Sequence, residues 1–413
     1  MVQCVLHFLG IRLSASLSSC PRLCEREREI GRVFVGWATG LGVQSGRICG
    51  HGEVMMRLMV LVRATRFVFV EKHFPPGMPR YAIFYGYLGT FLRGVPKQPS
   101  YSTDLESVEG VMEAALKRFP VANEPRFHYC SRTDQGVHAM RTCGHVDLVH
   151  SRENAEFKPE ILHKGLNKFF YDALRPIRVH EVRRVCDEFS ARHCAASRTY
   201  VYRFAVLRDS ESQHAERDLK NLLPVTELDR CALVMPPFDA EKANQVADMF
   251  IGTKDFATFS KAPKRREQEH LHDAGIIKST VRKVYECSLE PGLPLMVSRF
   301  QPRPQYDVWN LRVRASGFLY HMVRRMAGAV IAAGKGRLDL CDIEEMFDRR
   351  SSDAWNPRAS TAEACGLYLE DVEYHPVSFE TGQMPEKPWS RSQMRRDLAD
   401  DACVKLRDSS FAG

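Results

Sequence analysis

A change of hydrophobic period between residues 80 and 150 is the feature that most limits the fold. Every second residue of the stretch 81–87 is Tyr or Ile, which is the period of a β-strand with one buried face. Apolar residues then recur on one helical face over 108–119, and apolar runs at 127–130 and 145–149 predict two more strands. With the polar stretch 131–144 as a loop, this order favours an α+β fold with a largely antiparallel sheet.

The second half of the chain repeats this mixture of strands and helices. Further strands are predicted at 197–206, 285–289, 308–313 and 367–374, and helices at 228–251 and 318–333. We therefore divide the chain into an N-terminal extension (1–79), two α+β subdomains (80–185 and 186–376) and a polar tail (377–413).

Composition is typical of globular proteins and excludes several classes. Apolar residues make up 44% and charged residues 27% of the 413 residues, close to the globular average. No run of about 18 uncharged apolar residues occurs, so no membrane-spanning helix is expected. The 13 cysteines include no C-x-x-C pair, which favours reduced thiols in an intracellular protein over a zinc site.

The net charge is unevenly distributed along the chain. Of the total of +8, residues 1–79 carry +5 and residues 80–413 only +3. The body of the protein is therefore nearly balanced, and charge alone does not predict nucleic-acid binding.

The N-terminal extension lacks the period of a folded domain. Within it, residues 55–70 contain Arg57, Arg63 and Arg66 and no acidic residue, a composition typical of a mitochondrial presequence. A basic tail without a targeting function is the alternative interpretation. We therefore expect a mitochondrial location, with the cytoplasm or nucleus as the alternative.

The loop after the predicted strand 127–130 carries the strongest motif. Residues 131–139 read Ser-Arg-Thr-Asp-Gln-Gly-Val-His-Ala. An aspartate such as Asp134 between two strands is most often a turn residue, because its side chain bonds nearby backbone amides. The whole stretch, however, matches R-T-D-x-G-V-H-A, the active-site motif of the TruA family of tRNA pseudouridine synthases, and the chain resembles that family.

Other segments resemble TruA-family motifs in the same order over residues 80–375. They are the Y-x-G-T turn at 87–90, F-H-A-R at 189–192, R-x-Y-x-Y at 198–202, D-F-x-x-F at 255–259, F-x-x-H-M-V-R at 318–324 and G-L-Y-L at 366–369. Ser190 departs from the second of these motifs, where the family often has His. Val95 and Pro96 replace a common Trp-Gln pair, as in the animal pseudouridine-synthase-like branch, which is linked to mitochondria.

The resemblance implies a fold and a reaction. Two antiparallel sheets would join into one extended mixed sheet flanked by helices, with the active cleft between the subdomains. The implied reaction isomerises uridine to pseudouridine in RNA, with the tRNA anticodon stem-loop as the expected substrate. Because the base is detached from the ribose and rejoined through C5, no metal, redox group or nucleotide cofactor is expected. tRNA is the expected partner, and a homodimer the expected assembly.

The resemblance also assigns catalytic roles. Asp134 would be the catalytic carboxylate, which either attacks a ribose carbon or removes a ribose proton. Arg324 would pair with it and keep it ionised; Arg325 is the poorer candidate, since neighbouring helical residues point about 100° apart. Tyr200 would stack on the target base. Without the resemblance, Arg324 would be read as a surface ion pair and Tyr200 as part of the core.

Three further residues are expected to contact the substrate. By resemblance, Arg132 would enter the base stack when the target nucleotide flips out, whereas a loop salt bridge or a phosphate contact is its ordinary interpretation. Arg192 and His138 are the other expected RNA contacts.

A non-catalytic RNA-binding or RNA-folding factor on the same scaffold, acting on mitochondrial RNA, is the competing functional class. Such a factor has no need of an ionised aspartate. The intact set of Asp134, Tyr200 and Arg324 favours the enzyme.

Overall fold

The computed structural model describes residues 78–97, 104–208, 223–261, 279–297 and 305–382. The predicted presequence 55–70 and residues 383–413 of the predicted tail lie outside the described residues.

The described residues form strands and helices that alternate along the chain. The strands are β1 (Arg80–Tyr87), β2 (His128–Tyr129), β3 (His138–Asp147), β4 (Ile177–Val185), β5 (Ala195–Leu207), β6 (Ala232–Val234), β7 (Gly252–Asp255), β8 (Val281–Pro291), β9 (Tyr306–Ala315) and β10 (Leu367–Tyr374). The helices are α1 (Val108–Leu116), α2 (Pro159–Asp172), α3 (Ala240–Asp248), α4 (Met322–Gly334), α5 (Leu340–Arg349) and α6 (Val377–Thr381), with 3-10 turns at Gly89–Phe91, Ser352–Ala354 and Ala364–Gly366.

All ten strands in the described part of the chain belong to one sheet. Its order is β4-β1-β3-β10-β5-β9-β8-β7, with β2 added to β3 and β6 to β5. The pairs β3–β10 and β5–β6 are parallel, and the other pairs are antiparallel. The predicted α+β class with one extended mixed sheet is therefore confirmed.

The strand order divides this sheet into two contiguous halves. Strands β1–β4 come from residues 80–185 and strands β5–β10 from residues 186–376. The halves meet where β3 and β10 pair in parallel, with His138 opposite Tyr368 and Ala139 opposite Leu369. The subdomain boundary between residues 185 and 186 stays a prediction.

The sheet is covered on both faces near β1, where the alternation predicted a single buried face. Seven of the eight β1 residues are buried. Tyr85 packs edge-to-face against Phe127 on one face, with ring centroids 5.6 Å apart. Phe84 meets Phe379 of α6 on the other face, at 6.2 Å. The polar tail predicted from residue 377 therefore begins with a packed helix, because Phe379 supplies it with an apolar anchor.

Two further predictions were wrong in their limits. The predicted helix 228–251 is strand β6 followed by the shorter helix α3, because Pro236 and Pro237 cannot continue a helix. Asp239 then caps α3 by accepting hydrogen bonds from the amides of Glu241 and Lys242. The predicted loop 131–144 ends early, since β3 already begins at His138.

Helix α2 and strand β4 were not predicted, although both carry a periodic pattern. Leu162, Leu166 and Phe170 are buried and give α2 an apolar stripe at four-residue spacing. Ile177 and Val179 are buried on either side of an exposed residue at the start of β4. The hydrophobic period of each segment would therefore have predicted these two elements.

A buried histidine makes the stability of this fold depend on pH. His145 of β3 is 8% exposed, and its Nδ1 accepts a hydrogen bond from the Ala191 amide at 3.2 Å. Burial lowers the pKa of His145 well below the ordinary 6.5, and the positive charges of Arg80, His128 and His193 lower it further. The folded state therefore holds the neutral imidazole, whereas the unfolded chain takes up a proton near pH 6.5.

We expect the free energy of unfolding to fall as pH drops below 6.5, because the unfolded state then binds the additional proton. One such group contributes at most about 1.4 kcal/mol per pH unit. His145→Asn keeps an acceptor but cannot titrate, so its loss of stability between pH 7.5 and 5.5 should be shallower by up to that amount. Denaturant unfolding at both pH values measures the difference. Parallel pH dependences for the two proteins would contradict this explanation.

Candidate active site

The loop between β2 and β3 presents Asp134. Gly136 has a positive φ of 79°, which glycine adopts without strain, and the Val137 amide donates to the Asp134 carbonyl at 3.2 Å. The Tyr87 hydroxyl at the end of β1 hydrogen-bonds the Thr133 hydroxyl at 2.7 Å. The residue before Asp134 is therefore fastened to the sheet, and the aspartate projects from a tight turn.

Arg198 of β5 fastens the start of the same loop. Its Nε donates to Ser131 Oγ at 2.8 Å and its Nη2 to Cys130 Sγ at 3.4 Å. The guanidinium also donates to the carbonyls of Arg192 at 3.0 Å and Ser316 at 3.3 Å. One partly buried side chain thus joins β5 to three other segments, at 130–131, 192 and 316. The sequence reasoning missed this role, although Arg198 opens the R-x-Y-x-Y segment.

Arg324, in the first turn of α4, approaches Asp134 from the other half of the sheet. Its Nη1 lies 3.3 Å from Asp134 Oδ2, and its Nε donates to the Ala362 carbonyl at 2.8 Å. The Ala362 amide returns a hydrogen bond to the Arg324 carbonyl at 3.0 Å. Gly328 permits this close approach, because a Cβ there would lie 2.0 Å from the Ser360 carbonyl oxygen.

The neighbouring arginine points elsewhere, as the helical geometry predicts. Arg325 Nη1 donates to the carbonyls of Thr258 and Ser260, both at 2.7 Å. Its guanidinium lies 5.0 Å from the centre of the Trp355 ring. Arg325 therefore stabilises the packing around the 255–259 segment and leaves Arg324 as the arginine at Asp134.

His321 is a site residue that the sequence reasoning missed. Its Nε2 lies 3.2 Å from Asp134 Oδ2 and 3.3 Å from Arg324 Nη1. The residue directly precedes α4 in a left-handed backbone conformation with φ of 59°, and its ring packs on Tyr320 with centroids 4.1 Å apart. The signal was available, since His321 is the histidine of the F-x-x-H-M-V-R segment.

The electrostatics of this cluster favour an ionised carboxylate. Partial burial would raise the pKa of Asp134, but the hydrogen bond from His321 and the charge of Arg324 outweigh burial. The pKa therefore lies below its ordinary value of 3.8. With 30% of its side chain exposed, Asp134 remains both charged at neutral pH and accessible.

Tyr200 lies on β5 beside this cluster. Tyr200 is 6% exposed, and its ring packs edge-to-face against that of Phe318, with ring centroids 4.9 Å apart. Burial raises the pKa of the Tyr200 phenol above its ordinary 10.0, against the opposing charge of Arg198. The phenol is therefore neutral at physiological pH, and what it offers a substrate is an aromatic ring and a hydroxyl group.

The three predicted substrate contacts differ in their surroundings. Arg132 and Arg192 are exposed, whereas His138 is fully buried. His138 Nδ1 accepts from the Gly89 amide at 3.1 Å, and Nε2 lies 3.0 Å from the Asp229 carbonyl and 3.1 Å from the Cys365 carbonyl. Both ring nitrogens are thus used inside the protein, so this geometry supports a structural role for His138 and not a direct RNA contact.

The described residues contain no group of three or more His, Cys, Asp or Glu side chains arranged to hold a metal ion. None of the helices in this part of the chain combines the length and apolarity needed to span a bilayer.

Comparison with known proteins agrees with the site. Residues 246–375 match a family model described as tRNA pseudouridine synthase. The chain is 32% identical to tRNA pseudouridine synthase-like 1 of Xenopus laevis, over 71% of this chain and 91% of that protein. The chain belongs to the TruA family. It is also 30% identical to tRNA pseudouridine synthase-like 1 of Homo sapiens, over 71% of this chain and 90% of that protein. Bacterial TruA proteins are similar too: tRNA pseudouridine synthase A of Azorhizobium caulinodans is 29% identical over 74% and 98% of the two chains.

In this TruA-family site, Arg324→Lys should slow isomerisation of uridine in tRNA. A lysine cannot serve Asp134 and the Ala362 carbonyl together, because it lacks the planar fork of arginine. Loss of one charge-assisted hydrogen bond, about 1.5–3 kcal/mol, corresponds to roughly 10- to 150-fold in the single-turnover rate.

Arg325→Lys is the matched control on the same helix turn. It should lower thermal stability, because Arg325 holds two backbone carbonyls, and leave the single-turnover rate within about threefold. Equal rate losses in both variants would show that Arg324 acts only through the fold.

Proposed function

We propose that this protein isomerises uridine to pseudouridine in tRNA without a cofactor. The observation that carries the proposal is the ionised, partly exposed carboxylate of Asp134, held by Arg324 at 3.3 Å and His321 at 3.2 Å. Membership of the TruA family supports the same reaction.

The chemistry requires few groups. The C1′–N1 bond breaks, the uracil turns, and a C1′–C5 bond forms. A proton then leaves C5, and N1 gains one, so the product is an isomer and no electrons enter or leave. A carboxylate that reaches the ribose can start this sequence, either as a nucleophile at C1′ or as a base at C2′. Both routes need the carboxylate to be ionised before the substrate arrives.

The remaining residues fit the handling of a flipped nucleotide. The Tyr200 ring lies beside the cluster and can stack on the extruded base, an interaction worth about 1–3 kcal/mol. Arg132, two residues before Asp134, is exposed, which supports the proposal that its side chain enters the gap left in the stack when the base flips out. Arg192 adds a second exposed cation near the loop, since its own carbonyl is held by Arg198. A purely RNA-binding factor would not need the ionised carboxylate, and no observation favours that alternative.

The region of tRNA that is modified and the location of the protein in the cell are two further proposals. We propose the tRNA anticodon stem-loop as the modified region and mitochondria as the location, the latter on the composition of residues 55–70. Fluorescent fusions that begin at Met1 and at Met55 test the location. Cytosolic or nuclear signal from both fusions would refute it.

We propose a homodimer as the assembly, on the resemblance to the family. Light scattering of the purified protein gives the mass directly, and the 47.1 kDa mass of one chain would refute it.

Tritium release from tRNA transcripts labelled at uridine C5 tests the reaction, because the C5 proton exchanges with water only when the base is rejoined through C5. Wild type should release tritium from at least one tRNA, and Asp134→Asn should release none above background while binding the same tRNA. The asparagine side chain keeps the shape of the aspartate but cannot carry its charge. Release by the Asp134→Asn variant at the wild-type rate, or intact tRNA binding with no release by wild type from any tRNA, would refute the proposal.

A further inference from the structure

The contacts of Asp134 fall on one of its two carboxylate oxygens. His321 Nε2 and Arg324 Nη1 lie 3.2 and 3.3 Å from Oδ2. Within the described residues no hydrogen bond to Oδ1 is formed, and 30% of the Asp134 side chain is exposed. Of the two carboxylate oxygens, Oδ2 is therefore engaged by two side chains, and Oδ1 accepts no hydrogen bond from the described residues.

We propose that His321 is a positioning residue that holds Oδ2 together with Arg324 and thereby makes Oδ1 the oxygen that acts on the ribose. The inference rests on the proposed isomerase function. A carboxylate with a single partner can rotate about its Cβ–Cγ bond, whereas two donors that reach the same oxygen from different side chains restrict that rotation. Holding a reacting atom in place is worth orders of magnitude in rate, because small misplacements are costly.

The shared origin of the two donors strengthens this inference. His321 directly precedes α4 and Arg324 lies in its first turn, so both donors belong to one short segment of the chain. The His321 carbonyl accepts from the Arg325 amide at 2.9 Å, and the Tyr320 carbonyl accepts from the Lys261 amide at 3.0 Å. The start of α4 is thus fixed on both sides of the imidazole, and both donors move with it as one unit.

The donors and acceptors around His321 decide whether its Nε2 carries a proton. A carboxylate can only accept, so a productive contact at 3.2 Å requires a proton on Nε2. The alternative has Arg324 Nη1 donate to a bare Nε2 at 3.3 Å, and it would set the Nε2 lone pair against the negative charge of Oδ2. We therefore assign the proton to Nε2, which makes His321 a donor to Asp134.

Nitrogen-15 NMR of histidine-labelled protein tests this assignment without any need for activity. At pH 7.5 the His321 Nε2 resonance should have the shift of a protonated nitrogen, with its assignment taken from the resonance lost in His321→Gln. An unprotonated Nε2 would overturn the proposal, since His321 would then accept from Arg324 and not hold Asp134.

A matched pair of substitutions tests the consequence for catalysis. His321→Gln places an amide donor close to the position of Nε2, whereas His321→Met has a similar length and no donor. In single-turnover tritium release we expect the Gln variant to be about tenfold faster than the Met variant, at equal tRNA affinity. Recovery by the amide identifies the donor, because a purely packing role would be served equally by both side chains.

The outcomes separate the two proposals. Equal rates for the Gln and Met variants, with wild type active, would overturn the role of His321 and leave the isomerase function intact. Suppose instead that wild type releases no tritium from any tRNA although NMR shows a protonated His321 Nε2. That result would refute the isomerase function and leave the hydrogen bond from His321 to Asp134 standing.

Discussion

The buried imidazole of His138 joins the two halves of the sheet, and the position of the loop that carries Asp134 depends on it. Its Nδ1 accepts from the turn after β1, at Gly89, and its Nε2 faces the carbonyls of Asp229 and Cys365 in the other half. The ring also stacks on Tyr368 of β10, with centroids 4.5 Å apart. Burial lowers the pKa of His138 below 6.5, which favours the neutral ring that this pattern of one acceptor and one donor requires. The loop that carries Asp134 ends at this junction, because β3 begins at His138, so the junction sets where the loop leaves the sheet.

Asp134 comes from one half of the sheet, and its partners His321 and Arg324 come from the other. Their distances of 3.2 and 3.3 Å therefore depend on the alignment of the two halves and not on a local turn alone. Arg198 reinforces that alignment, because it extends from β5 to the first residues of the loop. Gly328 helps to position Arg324, because it lets the 360–362 segment pass close to α4. The Ala362 carbonyl in that segment accepts a hydrogen bond from Arg324. The candidate active site is thus built across the boundary between the halves.

The sequence predicts the elements whose period is strong and local, and it misses roles that depend on long-range contacts. Alternation located β1, β5 and β10 to within about two residues at each end, and motifs located Asp134 and Arg324. A motif does not show, however, which partners a histidine ring meets. His138 resembles a substrate contact until its burial is known, and His321 resembles a helix-start residue until its 3.2 Å distance to Asp134 is known. Both roles depend on residues more than 90 positions apart, which the sheet order brings together and no local period encodes.

The arrangement around Asp134 balances two opposing demands. A catalytic carboxylate must be enclosed with its substrate, and enclosure raises its pKa. The charge of Arg324 and the hydrogen bond from His321 restore the charged form, but each hydrogen bond that the carboxylate accepts also withdraws electron density from the oxygen that must react. Placing both partners on Oδ2 separates these effects, because Oδ2 secures the charge while the lone pairs of Oδ1 stay uncommitted. The neighbouring Tyr200 adds no competing anion, since burial keeps its phenol neutral. If Oδ1 is the oxygen that acts on the ribose, as we propose, the contacts of one oxygen keep the carboxylate ionised and leave the other oxygen to react.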